Sequence, residues 1–279
     1  MSADPNRTPE WYEGGSGSTL VLLHGFGGTW RQWKPLLPIL ERHHRVLAPT
    51  LPGHTGGVTL NKPASPVSIS EAFAKQLKAR DINQAHFVGN SMGGWMVWEM
   101  ARYGLARSSL GLSPAGAWRD ESEKNAFVRG ARNSLKAMPY LKPLMNLAFT
   151  STALRKRLLA GGMEHGERIS AAEARDSLNR LPTTKISSEY MNENLRPLEP
   201  LPADCKVPLR VVWGSHDTVL PFEQYGQPLL DLLGLKTHVT LGGCGHNPVY
   251  DDPHAVADAI LDFIREVERG ANGHDENPS

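Results

Sequence analysis

Several features that would assign this chain to a class are scarce or missing. It has only two cysteines in 279 residues, Cys205 and Cys244, which are too few for a disulfide framework. It has no run of the roughly 18 apolar residues that a transmembrane helix needs, and its first residues lack the apolar centre of a signal peptide. These absences predict a cytoplasmic protein with reduced cysteines and no membrane span.

An excess of one charge is also missing, because thirty basic side chains are balanced by twenty-nine acidic ones. The net charge of +1 gives no electrostatic reason to expect binding to nucleic acid or to an anionic membrane. The chain lacks the glycine patterns of phosphate- and dinucleotide-binding loops, and no His, Asp and Cys residues have metal-ligand spacing. We therefore expect no cofactor and no metal, and a small-molecule partner.

What the chain does contain is an alternation of short apolar runs with amphipathic segments. Such alternation predicts an α/β fold with a mostly parallel, doubly wound sheet covered by helices on both faces. The predicted strands are 19–23, 45–48, 85–88, 109–112, 209–213 and 237–241, with a further edge strand at 11–12. The predicted helices are 34–43, 71–80 capped by Ser70, one directly after Ser91, 222–233 and 254–267.

The alternation is interrupted between residues 115 and 205, where amphipathic helical segments replace strands. We interpret this stretch as a helical cap inserted into the α/β core; ordinary surface helices of one continuous domain are the alternative. The predicted cap segments are 127–135, 144–149, 154–159 and 171–178. The predicted division is a flexible N-terminus at 1–17, a core at 18–114 and 206–269, the cap at 115–205 and a disordered tail at 270–279.

The most informative site is Ser91, which lies between a predicted strand and a predicted helix. Gly89 and Gly93 flank it, as a sharp strand-to-helix turn requires, because side chains there would collide when the helix folds back over the strand. The turn would hold the serine hydroxyl out beside the free N–H groups of the helix. Ser113, which also follows a strand, is the rival nucleophile, but it lacks the second glycine.

A serine nucleophile needs a neighbouring base and a group that orients the base. His246 follows the last predicted strand on a glycine-rich loop, and it suits the base role better than His216. Asp217 follows the strand at 209–213 and is the preferred acid, with Asp120 as the runner-up. Two further acids, Asp251 and Asp252, precede Pro253 and are interpreted as carboxylates at a helix start.

Four segments together resemble motifs of the α/β-hydrolase superfamily: 24–28 (His-Gly-Phe-Gly-Gly), 89–93 (Gly-Asn-Ser-Met-Gly), 213–217 (Trp-Gly-Ser-His-Asp) and 245–248 (Gly-His-Asn-Pro). They occur in the order nucleophile, acid, base that this fold requires. Two features depart from the family pattern. Thr50 replaces a customary acidic residue, and the short N-terminus leaves little room for the first two strands. We therefore expect six or seven strands rather than eight.

The resemblance implies that Ser91 attacks a carbonyl carbon while His246, oriented by Asp217, takes its proton. It also implies an oxyanion hole made by the backbone N–H groups of Phe26 and Met92, with His24 and Gly27 shaping the loop. Related haloalkane dehalogenases and epoxide hydrolases use aspartate at the position of Ser91, so ester hydrolysis is expected. The resemblance leaves three alternatives open: a thioesterase, a carbon–carbon bond hydrolase with the same triad, and a binding protein with little turnover.

The predicted cap would form the roof of the substrate pocket, and its apolar residues could bind an acyl chain. At helical spacing, such residues more often form the cap's own core than a binding surface. These candidates are Met138, Tyr140, Leu144, Met145, Leu158, Leu159, Met163 and Met191.

Overall fold

A computed structural model describes residues 10–181, 189 and 195–275. The described residues contain one sheet of seven strands in the order β1-β3-β2-β4-β5-β6-β7, which confirms the predicted α/β class. Strand β1 is antiparallel to β3, and all other neighbours are parallel. The strands are β1 Trp11–Gly14, β2 Thr19–Leu23, β3 Arg45–Pro49, β4 Ala85–Asn90, β5 Ala106–Leu112, β6 Leu209–Gly214 and β7 Val239–Leu241.

Helices connect the parallel strands and cover both faces of the sheet. They are α1 Leu37–Leu40, α2 Pro66–Lys78, α3 Met92–Arg102, α4 Glu121–Ala148, α5 Thr152–Leu159, α6 Ala171–Arg180, α7 Gln227–Leu233 and α8 Pro253–Asp275. The described residues also contain a 3₁₀ helix at Trp30–Trp33 and a π-helical turn at Phe222–Gly226. None of the described helices is long and apolar enough to cross a membrane.

Two apolar layers sandwich the sheet, and strand β2 shows why. Successive side chains of a strand point to opposite faces, so Val21 and Leu23 join one layer while Leu20 and Leu22 join the other. All four are fully buried. A strand covered on both faces has to be apolar throughout, which explains why β2 reads as a continuous apolar run and not as an alternating one.

The start of helix α2 differs from the prediction. The helix begins at Pro66, and Ser65 caps it by accepting a hydrogen bond from the N–H of Ser68, whose hydroxyl accepts one from Ser65 N–H in return. Proline at the first helical position suits this start because it has no N–H to satisfy. Ser70, the predicted cap, is instead fully buried inside the helix.

Three more predicted boundaries are wrong. Helix α4 is a single 28-residue helix that continues through Pro139 and Pro143, whereas two shorter segments were predicted. Within the predicted helix at 34–43 only the short α1, Leu37–Leu40, is α-helical, and the 3₁₀ helix at Trp30–Trp33 precedes it. The final helix continues to Asp275, into the stretch predicted as a disordered tail. Residues 1–9 and 276–279 lie outside the described residues.

Helices α4, α5 and α6 all lie between β5 and β6, where the cap was predicted. The described residues of this stretch contain no strand. Leu198 N–H donates to Gly116 O at 2.8 Å, so the outgoing and returning chains meet at the base of the insertion. Phe149, Ile169 and Leu178 form a small apolar cluster among the three helices, together with Tyr250 of the core. We refer to residues 115–205 as the cap segment.

Candidate active site

The carboxyl ends of the parallel strands meet at one edge of the sheet, where chemistry usually lies in such folds. His24 follows β2, Ser91 follows β4 and Ser113 follows β5. Asp217 and His246 lie in the loops after β6 and β7. The topology therefore brings the sequence-predicted residues to one rim.

Ser91 lies on a strained turn between β4 and α3. Its φ of 55° and ψ of −115° fall outside the regions that non-glycine residues normally adopt, a conformation that costs about 1–3 kcal/mol. A Cβ on Gly89 would collide with Gly93 O, and a Cβ on Gly93 would collide with Leu23 O. Both glycines are therefore required by the close approach of helix and strand. Ser91 stands at the helix N-cap but makes no side-chain capping bond, so its hydroxyl is not occupied by the helix.

Asp217 and His246 are in direct contact. His246 Nδ1–H donates to Asp217 Oδ2 at 2.8 Å, and the Asp217 side chain is 1% exposed. The other carboxylate oxygen accepts the N–H groups of Val219 at 3.0 Å and Leu220 at 2.8 Å. These contacts fix the carboxylate, which in turn fixes the imidazole tautomer and leaves Nε2 with a lone pair.

His246 reaches the site by a loop that crosses the sheet. Strand β7 is three strands away from β4, about 14 Å at the usual spacing of strands. The five residues 242–246 can span that distance when extended. At the end of the crossing, Asn90 Nδ2 donates to His246 O at 2.8 Å and to Leu112 O at 3.0 Å. The residue directly before Ser91 therefore holds the backbone of His246.

Gln32 links three loops of the rim. Its Nε2 donates to Asn90 Oδ1 at 2.8 Å and to Asn247 Oδ1 at 3.4 Å, while its Oε1 accepts Gly25 N–H at 3.2 Å. Sequence reasoning missed both Gln32 and Asn90. Asn90 carried a signal, since a polar residue at the end of an apolar strand needs buried partners. Gln32 carried none, because its contacts lie up to 215 residues away.

No hydrogen bond between Ser91 and His246 is present among the described residues, although both belong to the network around Asn90. In acyl-transfer sites the bond between serine and base often tightens only when substrate is bound. The loop after β2 also lies against the serine, because a Cβ on Gly25 would lie 3.4 Å from Ser91 Cβ.

The two predicted oxyanion donors lie in suitable segments. Met92 is the first residue of α3, where backbone N–H groups have no partner within the helix. Phe26 lies between Gly25 and Gly27, whose φ of 76° turns the loop, and its ring centroid is 6.0 Å from that of His54.

His24 supports this loop. It is fully buried; its Nδ1–H donates to Gly25 O at 2.8 Å, and its Nε2 accepts Leu51 N–H at 2.9 Å. Burial holds the pKa of His24 well below its ordinary value. Burial also lowers the pKa of the neighbouring His54 to about 4. Both rings are therefore neutral at pH 7, and the two contacts of the His24 ring fit the predicted shaping role.

Asp251 has a different role from the helix-start carboxylate that the sequence predicted. It is 1% exposed and does not cap a helix. Its carboxylate accepts the N–H groups of Gly245 at 2.7 Å, Glu164 at 3.0 Å and His165 at 2.7 Å. Asp251 therefore ties the cap segment to the loop that carries His246. Asp252 does sit at the helix start, where its Oδ1 accepts Ala255 N–H at 2.9 Å.

The alternative candidates for nucleophile, acid and base are buried or bind other groups. Ser113 is 1% exposed, which removes its hydroxyl from contact with a substrate. Asp120 caps helix α4 by accepting Glu123 N–H at 2.9 Å. His216 Nδ1 lies 3.2 Å from a carboxylate oxygen of Glu164 in the cap segment.

The predicted pocket residues separate into two groups. Tyr140, Leu144 and Leu158 are 86%, 67% and 43% exposed, so they do not line a pocket roof in this structure. Helical spacing showed that they share faces but not which face points inward. The other described candidates pack against the apolar cluster of the cap segment; they are Met138, Met145, Leu159 and Met163. Met191 lies outside the described residues.

A cavity of about 670 Å³ lies beside helices α2 and α3. It is bordered by α2, by Trp95 and Glu99 of α3, and by the returning chain at 195–199. Ser91, Asp217 and His246 do not line it.

Known proteins resemble the chain over most of its length. A sequence profile of the alpha/beta hydrolase family matches residues 20–259. The dihydrolipoyllysine-residue acetyltransferase component of an acetoin cleaving system from Pseudomonas putida is 31% identical over 223 residues, which are 77% of this chain. The chain spans only 56% of the length of that relative.

Two further similarities cover more of the relative. Epoxide hydrolase EphH of Mycobacterium tuberculosis is 27% identical over 216 residues, which are 71% of this chain and 94% of that protein. A solved esterase of Thermogutta terrifontis matches with a TM-score of 0.72 at 19% identity, covering 92% of this chain and 93% of that one. The family profile covers most of the chain and agrees with the strand order and the elbow geometry. The chain belongs to the alpha/beta hydrolase family.

Proposed function

We propose that this hydrolase is a serine hydrolase that cleaves a carboxylic ester through an acyl-enzyme. One observation carries the proposal: a buried carboxylate, Asp217, holds an imidazole, His246, whose backbone is bonded to the residue before a strained serine. An orienting acid, a base and a nucleophile that a substrate can reach are the parts that acyl transfer requires.

In the proposed mechanism, Ser91 Oγ attacks the ester carbonyl carbon while His246 Nε2 takes the hydroxyl proton. The N–H groups of Met92 and Phe26 stabilise the oxyanion, and loss of one such donor typically costs about 10²–10³ in turnover. The imidazolium then protonates the departing alcohol, leaving an acyl group on Ser91. A water molecule, deprotonated by His246, attacks that acyl group and releases the acid.

The residue at the elbow favours an acyl substrate over an epoxide. Epoxide hydrolases of the superfamily resemble this chain, but they use aspartate at the elbow, where this chain has Ser91. Carbon–carbon bond hydrolases and thioesterases use the same three residues, so the triad does not separate them from esterases. A panel of esters, thioesters, lactones and vinylogous diketones assigns the bond that is cleaved.

The test is hydrolysis of p-nitrophenyl esters of increasing chain length by purified variants. Ser91→Ala and His246→Ala should each lower kcat by at least about 10³-fold while the circular dichroism spectrum is unchanged. Ser113→Ala, which removes the rival hydroxyl, should retain most of the activity. Full activity in Ser91→Ala would overturn the proposal, and so would loss of activity confined to Ser113→Ala.

A further inference from the structure

The balanced net charge conceals one strongly basic stretch. Residues 124–163 contain eight basic side chains and no acidic one, so the rest of the chain has 22 basic and 29 acidic side chains. The basic residues are Lys124, Arg129, Arg132, Lys136, Lys142, Arg155, Lys156 and Arg157. This stretch covers most of α4, all of α5 and the turn between them.

Only part of this charge is neutralised within the protein. Arg155 is buried and donates to Phe149 O at 2.7 Å and to Ile169 O at 3.1 Å, so it has a structural role. In contrast, Arg129, Lys136 and Arg157 form no ion pair with any described residue, and all three are exposed. Their charges therefore face the solvent.

The same helix exposes a row of apolar side chains. Tyr140, Leu144 and Leu147 are 86%, 67% and 68% exposed, and their spacing of four and three residues puts them on one face of α4. At 100° per residue, Arg129 and Lys136 fall on that face too, one to three turns earlier. We call these five residues the α4 face.

The two halves of α4 differ in what they contact. Phe127, Val128 and Leu135 of the first half pack on the main core cluster. In the second half, the α4 face stands in solvent, and α5 adds Leu154 and Leu158, one turn apart and 45% and 43% exposed. Soluble proteins seldom expose this many large apolar side chains close together without a partner.

We propose that the α4 face docks on the surface of an anionic lipid bilayer. Its leucines and tyrosine would enter the headgroup region, while its cations and Arg157 would pair with lipid phosphates and carboxylates. The chemistry disfavours two other occupants. A two-fold contact with a second copy would oppose like charges, and nucleic acid would offer nothing to the leucines.

This docking does not depend on the proposed ester hydrolysis, because the α4 face contains none of the proposed catalytic residues. The Ser91→Ala protein should therefore bind vesicles as well as the unaltered chain does. Vesicle binding by an inactive protein would separate the two proposals.

Vesicle co-sedimentation tests the docking directly, with the full chain. Binding is expected to vesicles of phosphatidylcholine with roughly a quarter phosphatidylserine, to fall at high salt, and to be weak on pure phosphatidylcholine. Arg129→Glu with Lys136→Glu should lower the partition coefficient at least about tenfold, since each basic residue near the surface contributes about 1 kcal/mol. Soluble-ester hydrolysis should be unchanged, which shows that the variant is folded.

Matched controls alter equivalent residues on the core. Lys75→Glu with Lys78→Glu reverses two charges on α2. Leu147→Asp, which puts a charge into the exposed apolar row, should also lower vesicle binding, and Val67→Asp on α2 is its control. Only the α4 variants should lose binding. Equal binding to neutral and anionic vesicles, or unchanged binding in the α4 variants, would overturn the proposal. So would lipid-free self-association in sedimentation velocity that Leu147→Asp abolishes, because a second copy would then occupy the face.

Discussion

The sheet core and the cap segment are held in different ways. Core strands such as β2 bury both faces in apolar layers, and polar side chains at the rim are fixed by short hydrogen bonds. The cap segment is mixed: the first half of α4 packs Phe127 and Val128 on the main core cluster, whereas α5 and α6 lie around a small apolar cluster and make polar contacts with the core. Helix α6 uses ion pairs, in which Arg180 meets Glu10 at 3.2 Å and Glu173 meets Lys34 at 3.2 Å.

This difference indicates that the sheet core is the more rigid region and the cap segment the more adaptable one. Exposed ion pairs contribute about 0–1 kcal/mol each, whereas a fully buried leucine or valine contributes about 1.5–3 kcal/mol. Substitutions in the core should therefore affect the fold and the triad together. Substitutions in most of the cap segment should alter the protein's contacts with other molecules without altering the triad.

One stretch of the cap segment breaks this division. Gly162 O accepts Asn247 N–H at 2.7 Å, and Gly161 O accepts the hydroxyl of Thr218 at 3.2 Å. With the contacts of Asp251, residues 161–165 touch the loops of both Asp217 and His246. This stretch acts as part of the rim although it belongs to the insertion.

The largest effect should come from Asp217→Asn in the core. The amide cannot hold the Nδ1–H tautomer of His246, so kcat should fall up to about 10⁴-fold. The surface substitution Asp231→Asn serves as the matched control and should leave kcat unchanged. Steady-state kinetics check this, and an Asp217→Asn protein with kcat within tenfold of the unaltered chain would show that Asp217 does not orient the base.

A smaller effect is expected where cap and core join. In Asp251→Asn, an NH₂ group replaces one acceptor oxygen, leaving buried N–H groups unpaired at about 1–3 kcal/mol. Urea unfolding should detect that loss, and kcat should fall about tenfold with little change in KM, because a displaced His246 loop impairs chemistry more than binding.

Asp252→Asn is the neighbouring control, since asparagine caps a helix as well as aspartate does. Equal behaviour of the two variants would mean that Asp251 does not couple the cap segment to the site.

The core should also lose stability in acid. Burial lowers the pKa of His54 to about 4 in the folded protein. Below about pH 6.5 the unfolded chain therefore binds a proton at this histidine that the folded protein does not bind. The free energy of unfolding should therefore decrease as the pH falls from about 6.5 to about 4, by about 1.4 kcal/mol per pH unit for this histidine.

Urea titrations at pH 6.5 and pH 5 test this, with His54→Gln expected to reduce the dependence. The same pH dependence in the variant and the unaltered protein would contradict the assignment. His24 should add to the effect in the same direction, since burial also lowers its pKa.

The smallest effect concerns the two thiols. Cys244 is buried in the core, where burial raises its pKa to about 11, whereas Cys205 is half-buried at the end of the cap segment. Iodoacetamide at pH 8 should modify Cys205 and leave Cys244 unmodified, as read by mass spectrometry. Modification of Cys244 at an equal rate would show that the core near His246 opens readily.

How much the sequence predicts depends on whether a feature is local. The elbow at Ser91 and strands such as β2 and β4 were predicted because glycine spacing and apolar runs carry the information within a few residues. The start of α2 was missed because Ser65 and Ser70 are both plausible caps, and burial of Ser70 depends on the rest of the fold.

Features that depend on distant contacts were not predictable. Gln32 and Asp251 act through partners far along the chain, so no local pattern marks their roles. Asn90 was marked only as a polar residue at the end of an apolar strand, which did not identify its distant partner His246. The exposure of Tyr140 and Leu144 was missed for a related reason. An amphipathic pattern identifies an apolar face but not whether anything covers it.

The most direct test of the proposed triad is labelling with a fluorophosphonate probe, which reacts only with an activated serine. The account predicts one adduct on the tryptic peptide that contains Ser91, absent in Ser91→Ala and formed much more slowly in His246→Ala. No adduct on the native protein, or an adduct on any other serine, would contradict the account.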